Sequence, residues 1–322
     1  MTEWRLTLGE LPPLRSERPR VKSLLSTVFG DVVSAHGGVV NLAGLIQIGA
    51  AFGSNERNVR TAVYRMAGEG WLVGQRLGRT SYYRLSPHGR ERFTAARRRV
   101  YGVGGQCLPK RWQLIIAPQL SVAAREILHR DMRWLGFAKV AAGVLIGVDD
   151  NTDKVNAVLG ELGLCDSVFV FSVCDQEEES PRRRNLWRRF VAERWNLSDV
   201  ENRHRIFLQT FRLVWRRLQK GAVLSDWDAL KLRVFLIHEF RRALLPDPDL
   251  PLSLLPAQWH GHQARDLCTD LYRHIAVAGE KAARLLFCTP DGEVLPPADD
   301  DFWQRFGGIH RRAEENEWRR QA

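Results

Sequence analysis

The segment from Asn55 to Glu69 constrains this chain more than any other, because its residues sort onto two chemically opposite faces of a helix. At about 100° per residue, Val59, Ala62, Val63 and Met66 fall in one narrow sector. Arg57, Arg60, Thr61 and Tyr64 fall opposite, with Asn58 and Arg65 on the flank. One face suits a core. The other carries guanidinium, amide and hydroxyl groups, which bond phosphate oxygens and the N7/O6 edge of guanine. Gly53 opens a turn before this helix and Ser54 is placed to cap it, next to Asn55. A solvated helix face would look the same in isolation, so its neighbours in the chain decide.

From Val21, Leu24, Leu25, Val28, Val32 and Val33 repeat at helical spacing until Gly37-Gly38 stops them. The short apolar run Val39-Val40 follows, then a second helix over Asn41 to Phe52 with Asn41 as its cap. Beyond the two-faced segment, Leu72 to Arg76 and Thr80 to Leu85 flank Leu77-Gly78-Arg79 and predict a β-hairpin with Arg76 and Arg79 at its tip. Ser86 caps a further helix to about Arg99, which ends in the basic run Arg97-Arg98-Arg99. Helix, strand, helix, turn, helix, hairpin is the order of a winged helix-turn-helix. In that fold the second helix of the pair enters the major groove and the wing lies on a phosphate backbone or in a minor groove. The residues expected at DNA are Ser54, Asn55, Arg57, Asn58, Arg60, Thr61, Tyr64, Arg65, Arg76 and Arg79.

Charge supports that reading. The 322 residues hold 48 Lys+Arg against 37 Asp+Glu, a formal +11. The first hundred residues alone hold 16 basic and 7 acidic side chains, whereas residues 101–180 are net acidic. A block of this kind marks a polyanion-binding end and not a uniformly basic protein. The longest apolar run, Val140 to Val148, has two glycines and is too short to cross a bilayer. The N-terminus, Met1-Thr2-Glu3-Trp4-Arg5, does not read as a secretory signal. Five cysteines with no C-x-x-C pair predict reduced thiols in the cytoplasm, not a disulfide framework or a zinc site.

Residues 1–20 read as a loose arm and Tyr101 to Gln106 as a linker with no phosphate-cradling glycine motif. Between them and the C-terminal third lie a strand at Arg111 to Ala117 and a helix at Ser121 to Trp134, with Val122, Ile127, Leu128 and Leu135 inward. A strand-like stretch, one strand or two, follows at Val140 to Val148, its Ala-Ala-Gly interior suited to a bend or a bulge, then a helix at Asp153 to Leu162 and a strand at Ser167 to Val173. That order predicts a ferredoxin-like α/β sandwich. Asp149 and Asp150 are read as a solvated loop, since no further acid or histidine completes a metal site.

After Glu177-Glu178-Glu179-Ser180-Pro181 the pattern is helical. Phe207, Phe211, Val214 and Leu218 repeat, as do Leu230, Val234, Ile237, His238 and Arg241. His260 and His262 lack a third ligand in register, and His238-Glu239 is half of H-E-x-x-H with Arg242 where the second histidine belongs. No nucleophile elbow or paired carboxylates appear, so nothing calls for an enzyme, a metal or a cofactor. The fold class expected is α+β multidomain: a winged helix-turn-helix over 21–100, a central ferredoxin-like domain over 107–176 and a mostly helical domain over 182–312.

Several stretches together resemble the PaaX family of bacterial transcriptional regulators. They are Ser23-Leu24-Leu25 with Phe29-Gly30-Asp31, Asn58 to Met66 with Glu69-Gly70-Trp71-Leu72, and Tyr82 to Ser86. Farther on come Leu236 to Arg242, Asp247 to Pro251, Leu254 to Gly261 and Phe302 to Gly307. The resemblance implies a cytoplasmic homodimeric repressor of an aromatic, phenylacetate-type catabolic operon, bound to an inverted-repeat operator. It implies release by an aryl-acyl-CoA such as phenylacetyl-CoA, and a central domain similar to CRISPR spacer-acquisition nucleases that serves dimerisation or relay. The alternative it raises is a metal-dependent nuclease on that domain. Such nucleases place an acid at the end of their first strand, and here that strand ends Ile116-Ala117-Pro118. An acyl-CoA needs cations for its phosphates and an aromatic wall for its tail. Arg241, Arg242, Trp259, His262 and Arg265 offer both.

Overall fold

The computed structural model describes residues 19–102, 111–133, 135–148, 152–174, 180–248, 250 and 254–309. Asp149 and Asp150, the arm up to residue 18 and the glutamates 177–179 lie outside them. The chain forms two compact units. Over their described residues, the first gathers Met1–Val103, Phe207–Arg241 and Gln263–Ala322, and the second Gly104–Ile206 and Arg242–His262.

In the first unit, α1 (Val21–Thr27) runs on through one π-helical turn (Val28–Val32) and a 3-10 turn (Val33–His36). Gly37, left-handed at φ +78°, ends it. Strand β1 (Val39–Asn41) leads into α2 (Leu42–Ala51), where the Asn41 side chain accepts from the Gly44 N–H at 3.3 Å. Helix α3 (Glu56–Gly68) follows, then β2 (Leu72–Leu77) and β3 (Thr80–Leu85), which pair antiparallel while β1 adds to β3, giving the order β1-β3-β2. Helix α4 (Pro87–Tyr101) starts with the Gly89 N–H donating to Ser86 Oγ at 2.9 Å. Tyr101, expected in the linker, is instead the last residue of this helix and is buried. Its hydroxyl donates to the buried Asp31 at 2.7 Å, a partner that no pattern near residue 101 announces.

The C-terminal helices are α8 (Leu197–Gln219), α9 (Asp226–Leu244), α10 (Gly261–Leu286) and the short α11 (Asp300–Trp303). The predicted spacings hold: Phe207, Phe211, Val214, Leu218, Leu230, Val234 and Ile237 are all buried. The rings of Phe207 and Phe211 lie 4.7 Å apart, and those of Phe207 and Phe240 5.5 Å apart.

The second unit is built on a four-stranded antiparallel sheet of β4 (Trp112–Ile116), β5 (Ala138–Ala141), β6 (Val144–Val148) and β7 (Phe169–Val173) in the order β5-β6-β4-β7. With α5 (Val122–Arg133) and α6 (Thr152–Glu161) as the two crossovers, this is the ferredoxin-like order expected. Alternation along β4 serves both faces. Ile115 and Ala117 meet Leu128, Met132, Val155 and Leu159 of the two helices. Trp112 faces the other way, into a cluster with Val191, Leu197, Val200, Leu254, Leu255 and Trp259, and stacks on Trp187 of α7 (Pro181–Arg194) at 4.5 Å.

Two details refine the sequence reading. Of the two alternatives for Val140 to Val148 the structure takes two strands: the end of β5, a turn with Gly143 at φ +73°, and β6. A Cβ at Gly143 would stand 2.6 Å from the Ala117 carbonyl oxygen, so the turn has room only for glycine. On α5, Val122 and Ile127 face solvent, because Leu128 and Met132 already fill the stripe over the sheet.

Candidate nucleic-acid interface

Helix α3 is anchored on one side and bare on the other. Its N-cap is Asn55, whose Oδ1 accepts from the Asn58 N–H at 2.8 Å. Ser54, expected in that role, stands one residue outside. The amide of Asn55 reaches the orphan N–H as well as a hydroxyl can, so an Asn and a Ser in tandem leave the boundary to tertiary packing. Val59, Val63 and Met66 are completely buried and Ala62 nearly so. Gly49 of α2 permits this: a Cβ there would come within 2.6 Å of Val59 Cγ2.

The opposite face is open. Arg57, Asn58, Arg60, Thr61 and Arg65 are exposed, as is Asn55, while Ser54 is half-buried. Tyr64 is 80% exposed, the most of any large hydrophobic side chain here, so no core claims its ring. Arg60 is steadied by Glu56 one turn earlier, with Nε 2.8 Å and Nη2 2.6 Å from Oε1. Thr61 Oγ1 donates to the Arg57 carbonyl at 2.8 Å, which leaves its lone pairs outward.

The wing stands on the same unit. The closing pair Leu77 and Thr80 leaves a two-residue turn, Gly78-Arg79, with Gly78 at φ +57°. Arg76 Nε donates to the Gly78 carbonyl at 3.2 Å, so one basic side chain braces the tip while Arg79 extends from it. Residues 73–79 are all exposed. Ser86 closes the hairpin base, its backbone N–H donating to the Trp71 carbonyl at 3.0 Å. Gly89 sits so close that a Cβ would stand 2.3 Å from the same oxygen.

The first unit also holds a buried charge cluster that the sequence reading did not single out. Asp31, in the π turn after α1, is fully buried. Its Oδ1 accepts from Tyr101 Oη at 2.7 Å, Tyr272 Oη at 2.8 Å and Arg305 Nη1 at 3.1 Å, and its Oδ2 from Arg233 Nε at 2.8 Å. Burial works against charge on Arg233 and Arg305, yet neighbouring acidic groups, Asp31 among them, hold both above the ordinary guanidinium pKa. Burial pushes the phenols of Tyr101 and Tyr272 up, so both stay protonated donors. Glu280 lies 3.5 Å from Arg233 Nη1 and 3.2 Å from His36 Nε2. Burial alone would raise its carboxyl, but the neighbouring His36 and the charge of Arg233 hold it below the ordinary range. The one sequence signal was an acid on the apolar stripe of α1, between Val28 and Val32.

A family model described as PaaX-like protein matches residues 20–89, the PaaX protein central Cas2-like domain matches 109–185, and the PaaX-like protein C-terminal domain matches 195–285. Over 295 residues the chain is 33% identical to Transcriptional repressor PaaX of Escherichia coli (strain K12), covering 89% of this chain and 90% of that one. The chain belongs to the PaaX family. Among solved structures it is similar to the uncharacterized protein Rv0674 from Mycobacterium tuberculosis, at 23% identity and a TM-score of 0.47, covering 81% of this chain and 99% of that one.

The first PaaX segment contains all ten residues expected at DNA, together with Asp31. The C-terminal PaaX segment contains the buried partners Arg233, Tyr272 and Glu280, whereas Tyr101 and Arg305 fall outside the matched spans. The residues expected at an effector are divided between the units. Arg241 and Arg265 belong to the first, and Arg242, Trp259 and His262 to the second. Arg265 donates to the carbonyls of Gly102 and Arg99 at 3.2 and 3.3 Å, at the C-terminal end of α4, and lies over the Phe240 ring. Trp259 is a core residue with His204 edge-on at 5.5 Å, His262 is half-buried and Arg242 is exposed. His260 is paired with Glu201. Among the described residues no three His, Cys, Asp or Glu side chains assemble into a metal site, and no helix is long and apolar enough to cross a membrane.

Proposed function

We propose that this chain is a DNA-binding transcriptional repressor that reads its operator with α3 and grips the flanking backbone with the wing. The observation that carries this is the bare face of α3, where Arg57, Arg60, Thr61 and Tyr64 stand outward over a fully buried Val59, Val63 and Met66. The name of the Escherichia coli relative supports the repressor role. In this reading a cytoplasmic homodimer sets two copies of α3 in successive major grooves of an inverted repeat. Residues 21–100 bind DNA, 107–176 dimerise or relay, and 182–312 receive the effector, with 1–20 as an arm. Its target is an aromatic, phenylacetate-type catabolic operon. An aryl-acyl-CoA such as phenylacetyl-CoA induces by favouring the arrangement that cannot bind DNA, with Arg241, Arg242, Trp259, His262 and Arg265 as its candidate contacts. The chain is not an enzyme in this account.

Gel shifts on the DNA upstream of its own neighbouring operon test the core of it. Arg57→Ala and Arg60→Ala each weaken operator binding by about 1–3 kcal/mol and relax specificity at one base pair. Arg76→Ala and Arg79→Ala weaken all sequences alike and lower the salt slope by about one. Unchanged affinity and salt slope in both α3 variants would sink the assignment. Phenylacetyl-CoA added to the same gels releases the DNA, and free phenylacetate does not.

A further inference from the structure

Among Arg97, Arg233, Arg241 and Arg305, three are matched by carboxylates. Arg233 and Arg305 face Asp31, Arg233 also faces Glu280, and Arg97 is paired with Asp301. Arg241 has no carboxylate within 4 Å among the described residues. Its one hydrogen bond runs from Nη1 to Thr27 Oγ1 at 2.9 Å. Thr27 is itself buried, its hydroxyl 3.3 Å from both the Ser23 carbonyl and His238 Nδ1, so it steers the guanidinium without neutralising it.

Arg241 also lines a pocket. The walls come from α1, α4 and α9, and include Thr27, Asp31, Phe93, Arg97 and Tyr101 around a space of about 260 Å³, part of it open to solvent. Burial lowers the pKa of Arg241, and Tyr101 and Asp31 offset that only in part. The oxygens of Asp31 are already taken by four donors, so the acid lining the pocket does not serve Arg241. A guanidinium fixed at one nitrogen keeps its other N–H groups for an acceptor with paired oxygens, and a partly desolvated site strengthens that contact.

We infer that this pocket is an oxyanion site, in which Arg241, positioned by Thr27, receives the phosphate group of a small ligand. The cleft is small and partly open, with room for one compact group and not for a whole drug-sized molecule. The group arrives as free inorganic phosphate or as a phosphate of an acyl-CoA. Only the second source rests on the effector reading above.

The test is calorimetric titration of the full chain with inorganic phosphate at constant ionic strength, beside thermal melts. The wild type binds one phosphate per chain and melts higher with it. Arg241→Met weakens phosphate binding at least about tenfold, or about 1.4 kcal/mol, and melts no lower than wild type in phosphate-free buffer, because the charge removed had no partner. Thr27→Val keeps the charge but frees the fork, and also binds phosphate more weakly. The inference is overturned by a wild type that takes up no phosphate, by an Arg241→Met variant that binds it equally, or by one that melts lower without it, which would make Arg241 a structural residue. Phenylacetyl-CoA that competes with phosphate assigns the group to the effector, and binding without competition assigns it to the free ion. Bound phosphate with no binding of phenylacetyl-CoA supports the site and removes the effector reading alone.

Discussion

Asp31 ties the first unit together at the scale of single residues. One carboxylate accepts from two phenols and two guanidiniums contributed by positions 70 to 274 residues away. Removing one partner of a buried, hydrogen-bonded ion pair leaves the other charge in a low-dielectric interior. Asp31→Asn therefore strands Arg233 and Arg305 and costs about 3–5 kcal/mol, seen as a lower melting temperature. Tyr101→Phe removes one neutral donor and costs about 1–2 kcal/mol. A melt in which the two variants are equivalent would show that the charge at Asp31 is not what holds the cluster. Little of this was legible beforehand: an acid on the stripe of α1 is a visible anomaly, but its partners have no spacing rule that links them to it.

Elements were far more readable. The period of 3.6 in α3 and the turn signal of the wing act over a few residues, so both appear in the sequence with their faces already assigned. The cap shows where local rules stop. Ser54 and Asn55 are both good N-caps, and the choice fell to the residue whose side chain reaches the Asn58 N–H once Val59 is seated against Gly49. Asn55→Ala should cost about 1 kcal/mol of stability, measured by thermal melt, whereas Ser54→Ala should be close to neutral. The boundary between β5 and β6 stayed open in the sequence for a related reason. Its turn is an Ala-Gly pair within an apolar run, and composition alone cannot tell a hairpin from one long strand there. Val122 and Ile127 show the converse: apolar residues at helical spacing that ended outside, because Leu128 and Met132 already cover the sheet.

At the scale of the molecule, chain order and compact units do not coincide. The first unit is assembled from three separate stretches, and the chain passes between units within α8, α9 and α10. A fragment ending at Val103 keeps the whole of α3 and the wing but lacks Arg233, Tyr272 and Arg305. Its expected behaviour is a broad melt well below that of the full chain, followed by circular dichroism. A sharp transition at the full-chain temperature would show that the winged helix folds without its C-terminal partners.

By itself the sequence determined the identity and order of the elements, the two faces of α3, the basic tip of the wing and the ferredoxin-like pattern of the middle segment. These rest on periodicity, capping and turn chemistry, which operate between residues a few positions apart. Tertiary structure alone decided which charges are buried together, which cation lacks a counter-charge, and which candidate effector residues fall in which unit. Those outcomes depend on desolvation and on contacts between stretches hundreds of residues apart, and no local pattern carries that information.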